Sequence, residues 1–181
     1  IAVVGKYVRL KDAYKSIIEA FTHAGAANDG KVLLEWIEAE DLVEETEDRL
    51  DSFQGILVPG GFGPRGIEGK IKAIKFAREH GIPFLGICLG MQCSTIEFAR
   101  NVAHLKEANS TEFCPETRHP VLDLLPEQRC IKDKGGTMRL GEYECKVKMD
   151  SFSGRAYRKS MVYERHRHRY EFNNDYRTIL S

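Results

Sequence analysis

Residues 83–92 read Pro83-Phe84-Leu85-Gly86-Ile87-Cys88-Leu89-Gly90-Met91-Gln92, a short apolar run that ends at a cysteine just before a helical pattern. A strand that turns sharply into a helix exposes the residue at its apex, which must accept a strained backbone. Gly86 and Gly90 lack the side chains that would collide where the two elements pack closely. Cys88 is therefore a candidate nucleophile. The alternative is a buried cysteine that packs as a small hydrophobe.

The helix that follows Cys88 is expected to influence the charge of its thiol. Free N–H groups at a helix N-terminus favour an anion, and a thiol placed there typically has a lowered pKa. We therefore predict that Cys88 is a thiolate near neutral pH.

The size and charge of the chain restrict its functional class. Its 181 residues suit one compact domain, and 27 basic residues balance 27 acidic ones, so net charge favours neither nucleic acid nor a membrane surface. No apolar run approaches the roughly 20 residues that span a bilayer. Five cysteines without CxxC spacing, and no secretory leader, predict reduced thiols in a cytoplasmic protein rather than disulfides or a zinc site. The cysteines interpreted as structural are Cys93, Cys114, Cys130 and Cys145.

Strands alternate with helices in the first half of the chain. Apolar runs predict strands at residues 1–5, 32–37, 55–59 and 83–87. Helical spacing predicts one helix from Asp12, a candidate N-cap, to Gly25, and another from Ile67 to about Gly81. This alternation predicts an α/β fold with an open, mostly parallel sheet and helices on both faces. The pattern loosens after about residue 109, and we expect a small antiparallel portion in the C-terminal half.

The run Gly60-Gly61-Phe62-Gly63, called the glycine loop below, follows the third predicted strand. Sites in open parallel sheets form at the carboxyl ends of strands. If strands 55–59 and 83–87 are parallel neighbours, the glycine loop and Cys88 emerge at the same edge. The backbone amides of Gly61 and Leu89 would then face a developing oxyanion. The loop alone is a weak signal, also consistent with a connecting turn or a phosphate-binding loop.

The segment Asn109-Ser110-Thr111-Glu112-Phe113 places a carboxylate in a loop after the helix that follows Cys88. Glu112 could receive a substrate ammonium group there, since loops often carry sites. The alternative is an ordinary solvated glutamate.

The segment Glu164-Arg165-His166-Arg167-His168-Arg169-Tyr170-Glu171 is basic and alternates in residue type. An extended chain would place the three arginines on one face and His166, His168 and Tyr170 on the other. The arginine face would suit a carboxylate or phosphate. A surface strand with Glu164 and Glu171 as ionic partners is the alternative.

Five motifs together resemble the glutamine amidotransferase domain of the CTP synthase family, a branch of the triad (class I) glutamine amidotransferases. They are Val58-Pro59-Gly60-Gly61-Phe62-Gly63, Gly86-Ile87-Cys88-Leu89-Gly90-Met91-Gln92, Asn109-Ser110-Thr111-Glu112-Phe113, Gly135-Gly136-Thr137-Met138-Arg139-Leu140-Gly141 and Glu164-Arg165-His166-Arg167-His168-Arg169-Tyr170-Glu171. The resemblance covers essentially the whole chain, and it implies a flavodoxin-like arrangement of the predicted sheet.

The resemblance also implies a reaction, in which glutamine is hydrolysed to glutamate and ammonia. Cys88 would be the nucleophile that forms a glutamyl thioester, and Arg169 would bind the α-carboxylate of glutamine. The oxyanion amides would come from Gly61 and Leu89. The implied glutamine-binding residues are Gly61, Leu89, Gly90, Met91, Gln92, Glu112 and Arg169. No metal ligand and no cofactor are implied for this domain.

The partners implied by the resemblance lie outside these residues. Ammonia would pass through a tunnel to an N-terminal synthase domain of the same polypeptide, which uses ATP and Mg²⁺ to aminate UTP to CTP. GTP would act as an allosteric effector, and residues 126–136 align with a segment linked to that response. The full-length protein would be a homotetramer.

One part of the family pattern is absent from the 181 residues. Family members complete the triad with a histidine and a glutamate in a His-Pro-Glu motif, which does not occur here. We therefore expect residues 1–181 to form an amidotransferase domain that is incomplete at its C-terminus and lacks its synthase domain. Little glutaminase activity is expected from it alone, because the thiol lacks its base. A non-catalytic regulatory domain and another cysteine hydrolase of the same scaffold remain as alternatives.

Overall fold

The structure, a computed structural model, describes residues 1–6, 8, 11–43, 49–124 and 139–181, without the side chains of residues 11 and 43. The chain divides into two compact units. The first comprises Ile1–Asp123 and Phe172–Ser181, and the second comprises Leu124–Glu171.

The first unit is built on a parallel sheet. Its strands are β1 (Ala2–Gly5), β2 (Glu35–Glu38), β3 (Ile56–Val58) and β4 (Phe84–Gly86). They lie in the order β2-β1-β3-β4, and each neighbouring pair is parallel. The register pairs Val58 with Gly86, so the carboxyl ends of β3 and β4 meet at one edge. The predicted parallel sheet is confirmed, and so is the adjacency of the strands that lead to the glycine loop and to Cys88.

The first unit also contains the α-helices α1 (Lys15–Ala27), α2 (Ile67–Glu79) and α3 (Leu89–Asn101). Helices α2 and α3 contact each other, and both contact β3. The predicted apolar face of α2 is buried at Ile67, Ile71 and Ile74. These side chains belong to the same core cluster as Val58 of β3. Because α2, α3 and β3 pack against one another, burial of their apolar side chains holds the start of α3 in place relative to the sheet.

The start and end predicted for α1 are wrong. A 3₁₀ turn, Lys11–Tyr14, precedes the helix, and its N-cap is Tyr14 rather than Asp12, with no capping bond from the side chain. Gly25 lies inside the helix and is buried. A Cβ on Gly25 would lie 2.5 Å from the carbonyl oxygen of Gly30. Position 25 therefore requires glycine because the chain passes close to the helix at Gly30. Gly25 does not end the helix.

Further strands complete the two units. In the first unit, β5 (Ala108–Ser110) pairs in parallel with β6 (His119–Leu124). The second unit contains the antiparallel pair β7 (Arg139–Lys146) and β8 (Met161–His168), with the short helix α4 (Phe152–Tyr157) between them in the chain. Strand β9 (Tyr170–Phe172) leads back into the first unit. The antiparallel portion predicted for the C-terminal half is thus confirmed.

Candidate active site

Cys88 occupies a strained turn between β4 and α3. It is the N-cap residue of α3, with φ 54° and ψ −106°. A positive φ is uncommon for any residue that carries a Cβ, and it is maintained only where the surrounding packing requires it. The thiol is exposed to solvent. These observations match the strained, accessible apex expected from the sequence, and they exclude the alternative of a buried core cysteine.

The two glycines that flank Cys88 allow strand and helix to approach. A Cβ on Gly86 would lie 2.6 Å from the carbonyl carbon of Gly90. A Cβ on Gly90 would lie 2.0 Å from the carbonyl oxygen of Val58. Real Cβ atoms do not approach backbone so closely, so any larger residue at either position would push α3 away from the sheet.

The glycine loop lies directly beside Cys88. The amide of Ile87 donates to the carbonyl oxygen of Val58 at 2.9 Å, which extends the β3–β4 pairing up to the turn. A Cβ on Gly60 would lie 3.5 Å from the Cβ of Cys88, and one on Gly61 would lie 3.3 Å from Cδ2 of Leu89. The two segments predicted to supply oxyanion amides therefore meet at the same edge of the sheet.

The ionisation of Cys88 differs from the sequence-based expectation. Desolvation by the surrounding protein atoms raises the pKa of the thiol, although the residue is exposed. The backbone amide of Leu89 hydrogen-bonds to the sulfur and lowers the pKa, while the charge of Glu112 raises it. The predicted lowering of the Cys88 pKa is therefore wrong. The helix amide acts in the expected direction, but desolvation and the nearby carboxylate outweigh it.

Glu112 reaches the glycine loop from the turn after β5. Its Oε1 accepts a hydrogen bond from the amide of Gly63 at 3.2 Å, and its own amide donates to Oγ of Ser110 at 3.2 Å. The side chain is half-buried, and its charge acts on Cys88. Glu112 therefore lies in the same site as Cys88, unlike the solvated loop carboxylate of the alternative interpretation.

Two buried lysines on the other side of the glycine loop were missed by the sequence analysis. Lys6 is 4% exposed, and its Nζ donates to the carbonyl oxygens of Phe62 and Gly63. Lys70 is fully buried, and its Nζ has no hydrogen-bond partner among the described residues. The sequence did contain signals for both. Lys6 directly follows the apolar run of β1, and Lys70 has helical spacing to Ile67 and Ile74.

The first turns of α3 contain the other predicted glutamine-binding residues of this unit. Leu89, Gly90 and Gln92 are buried, whereas Met91 is 44% exposed. The amide of Gln92 donates to the carbonyl oxygen of Cys88 at 3.1 Å, which is the first turn of the helix. Met91 is therefore the only member of this group whose side chain is clearly exposed to solvent.

Arg169, in the second unit, does not belong to an arginine face as predicted. Strand β8 ends at His168 and the chain bends at Arg169. Arg165 and Arg167 are exposed, whereas Arg169 is half-buried, and its Nε is buried without a hydrogen-bond partner in the described part of the chain. The prediction assumed that the chain stays extended through residue 169, so that side chains alternate between two faces. The bend at Arg169 interrupts this alternation.

The glutamates at the two ends of this segment have other partners. Glu171 forms an ion pair with Arg139, and its Oε1 lies 3.6 Å from Nε2 of His168. Glu164 accepts a hydrogen bond from the hydroxyl of Tyr157 at 2.7 Å. Neither carboxylate forms an ion pair with Arg165 or Arg167 among the described residues, so the alternative of a strand with these ionic partners is not supported.

Several predictions fall on residues outside the described ranges. These are residues 126–136, linked to GTP, the first part of the motif at 135–141, and Cys130. The remaining cysteines are free thiols: Cys88, Cys93, Cys114 and Cys145. Within the described ranges, no group of three or more His, Cys, Asp and Glu side chains is arranged to hold a metal ion. No described helix is both long and apolar enough to cross a lipid bilayer.

An exposed cysteine at a strand-to-helix turn, beside a glycine loop at the edge of a parallel sheet, agrees with the family comparison. The chain belongs to the family "Glutamine amidotransferase class-I", which matches residues 9–180. Within that family it is similar to CTP synthases. It is 60% identical over 182 residues to the CTP synthase of Caldanaerobacter subterraneus subsp. tengcongensis, covering 100% of this chain and 34% of that protein. It is 60% identical over 181 residues to the CTP synthase of Clostridium perfringens (strain SM101 / Type A), covering 99% and 34%.

A solved structure supports the same relationship. The chain superimposes on the Trypanosoma brucei CTPS glutaminase domain with bound acivicin with a TM-score of 0.90, at 37% sequence identity. The match covers 99% of this chain and 70% of that one. The resemblance drawn from the five motifs is therefore confirmed. The chain spans about a third of the length of the curated CTP synthases it matches.

Proposed function

We propose that this chain is the glutaminase part of a CTP synthase, and that the side-chain amide of glutamine is hydrolysed at its Cys88 in the full natural protein. The observation that carries the proposal is the exposed thiol at a strained turn, with the Leu89 amide at its sulfur and the glycine loop in contact with it. Glutamine is proposed as the substrate because the chain is similar to CTP synthases along its whole length.

The proposed reaction has two stages. The Cys88 sulfur, after losing its proton to a base, attacks the amide carbon of glutamine, and the carbonyl electrons move to oxygen. The C–N bond then breaks, ammonia leaves with a proton from the protonated base, and a glutamyl thioester remains. Water attacks the thioester, which releases glutamate and regenerates the thiol. The Gly61 and Leu89 amides would stabilise the oxyanion in both stages.

The proposed substrate contacts are those that the family resemblance implies. We assign glutamine binding to the first turns of α3, to Glu112 for the ammonium group, and to Arg169 for the α-carboxylate. The Nε of Arg169 is buried without a partner among the described residues, and a guanidinium is suited to a carboxylate because it can donate two parallel hydrogen bonds. The α3 residues concerned are Leu89, Gly90, Met91 and Gln92.

This chemistry requires a base close to the sulfur of Cys88. Among the described residues, the groups that shift the pKa of Cys88 include no histidine, and desolvation raises that pKa. Since no His-Pro-Glu motif occurs in the 181 residues, we propose that these residues alone turn over little or no glutamine. Measurable ammonia release by the purified 181-residue chain would contradict this.

The ammonia would be consumed by a synthase domain of the same polypeptide, which aminates UTP to CTP. Relatives about three times longer than this chain support the existence of such a partner domain. ATP and Mg²⁺ would act in that domain, GTP would act as an allosteric effector, and the full-length protein would be a cytoplasmic homotetramer. No cofactor is proposed for the amidotransferase domain itself.

The proposal is tested in the full natural protein by two variants. Cys88→Ala is expected to abolish ammonia release from glutamine and covalent labelling by a glutamine-mimicking electrophile. Cys145→Ala removes another exposed thiol and serves as the matched control, which should retain both. Unchanged glutaminase activity in Cys88→Ala would exclude the mechanism.

A non-catalytic regulatory domain that binds glutamine without turnover is the second candidate, because no histidine is among the described groups that act on Cys88. This alternative predicts that the full natural protein binds glutamine, releases no ammonia, and binds equally well as Cys88→Ala. Glutamine-dependent ammonia release by the wild type would eliminate it.

A further inference from the structure

Lys6 connects the end of β1 to the glycine loop, 56 residues further along the chain. Its buried ammonium group donates hydrogen bonds to the carbonyl oxygens of Phe62 and Gly63. Its backbone is also held: its amide donates to Oη of Tyr14 at 3.3 Å, and its carbonyl accepts from Nη2 of Arg65 at 2.8 Å. Lys6 is therefore a buried cation whose side chain and backbone are both fixed by hydrogen bonds.

The peptide unit between Phe62 and Gly63 is bound from two opposite sides. In a trans peptide, the carbonyl oxygen and the following N–H point in opposite directions. Here the oxygen of Phe62 accepts from Lys6, and the N–H of Gly63 donates to Glu112. The ammonium group and the carboxylate thus hold one peptide plane between them.

This restraint acts on a segment with little rigidity of its own. Three of the four residues in the glycine loop are glycines, which have more accessible backbone conformations than other residues. The side chain of Lys6 also lies against Gly61, since a Cβ on Gly61 would be 3.9 Å from its Cδ. An oxyanion donor is effective only if its direction is fixed before the charge develops.

We propose that Lys6 is a positioning residue that, together with Glu112, holds the glycine loop so that the Gly61 amide points at the carbonyl attacked by Cys88. This inference rests on the proposed glutaminase function. Lys6 does not touch the reacting atoms. It acts through the orientation of the Phe62–Gly63 peptide and of the glycines before it.

The test compares two reactions of the same thiol in the full natural protein. Thioester formation from glutamine builds an oxyanion, whereas alkylation by iodoacetamide displaces iodide at a saturated carbon and builds none. Lys6→Met keeps the apolar stem and removes the donor. We expect its kcat for glutamine to fall about tenfold to a hundredfold, as for a misdirected oxyanion donor. The rate of Cys88 alkylation should remain within about twofold, because Lys6 is not among the groups that shift the pKa of that thiol.

Two further variants keep the test decisive. Lys75→Met alters an exposed lysine of α2 and should leave both rates unchanged. Lys6→Gln retains an N–H donor, so its kcat should be higher than that of Lys6→Met. It also replaces Lys6→Met in the test if that variant does not fold.

Three results would overturn the inference. A folded Lys6 variant with wild-type kcat would exclude the positioning role, and so would a parallel loss of alkylation and turnover, which indicates general distortion of the site. A wild type that releases no ammonia from glutamine would remove the proposed function and this inference together, whereas the first two results leave the proposed function intact.

Discussion

Gly90 lies so close to the carbonyl oxygen of Val58 that a Cβ in place of one of its α-hydrogens would be 2.0 Å from that oxygen. This contact sets the distance between the first turn of α3 and the end of β3. Because Cys88 caps α3 and the glycine loop follows β3, the same contact sets the spacing of the candidate site.

Gly90→Ala is therefore expected to destabilise the fold. The added methyl cannot be accommodated without moving α3, and overpacking of this kind costs about 3 kcal/mol. Thermal unfolding should show a clearly lower Tm. Gly30→Ala is the matched control, since its Cβ would lie 3.7 Å from the nearest atom and its φ is ordinary. Equal Tm values for the two variants would contradict the contact.

Glu112→Gln is expected to lower the pKa of Cys88. The charge of Glu112 raises that pKa, because a carboxylate disfavours a second anion nearby. Glutamine removes the charge but can still accept the hydrogen bond from Gly63, so the loop should keep its conformation. Alkylation of Cys88 by iodoacetamide, followed by peptide mass spectrometry across pH, should be faster at neutral pH. The exposed neighbour variant Glu116→Gln should not change the profile. An unchanged or slower reaction of Glu112→Gln would argue against the electrostatic link.

Lys70→Met is expected to stabilise the protein at neutral pH. Burial lowers the pKa of Lys70 from 10.5 to about 8, which corresponds to roughly 3 kcal/mol that favours the unfolded state when the group is charged. Between pH 8 and 10.5 the unfolded chain binds more protons than the folded one, so the wild type gains stability as the pH rises through this window.

Denaturant titrations of wild type and Lys70→Met should therefore show a gap that is largest below pH 8 and closes towards pH 10.5. The exposed variant Lys75→Met should show no such pH-dependent gap. A Lys70→Met protein that is less stable than wild type at pH 7 would mean that the ammonium is stabilising in its buried position.

Arg169→Lys is expected to raise the KM for glutamine about tenfold or more in the full natural protein. Lysine keeps the charge but loses the planar pair of donors that a carboxylate accepts. Arg167→Lys, two residues earlier in the same segment, changes an exposed arginine and should stay within about twofold. If both variants behave alike, the segment binds anions only through its general charge.

The sequence predicted the elbow at Cys88 well because the relevant forces are local. An apolar run, two glycines and a helical pattern within ten residues define a turn in which few other conformations are possible. The ends of α1 were predicted incorrectly for the opposite reason. Gly25 is typical of a helix stop when only its neighbours are considered, but its role is a contact with Gly30 across a turn of the chain.

The sequence by itself determined the order of strands and helices, the residue at the turn and the family resemblance, since each depends on residue types at short, regular spacings. Only the tertiary structure decided that Lys6 and Glu112 bind one peptide of the glycine loop, because these contacts span 56 and 49 residues. It also decided the direction of the Cys88 pKa shift. The lowering effect of the helix amide is local and can be inferred from the sequence, whereas desolvation and the charge of Glu112 arise only when distant segments pack around the sulfur.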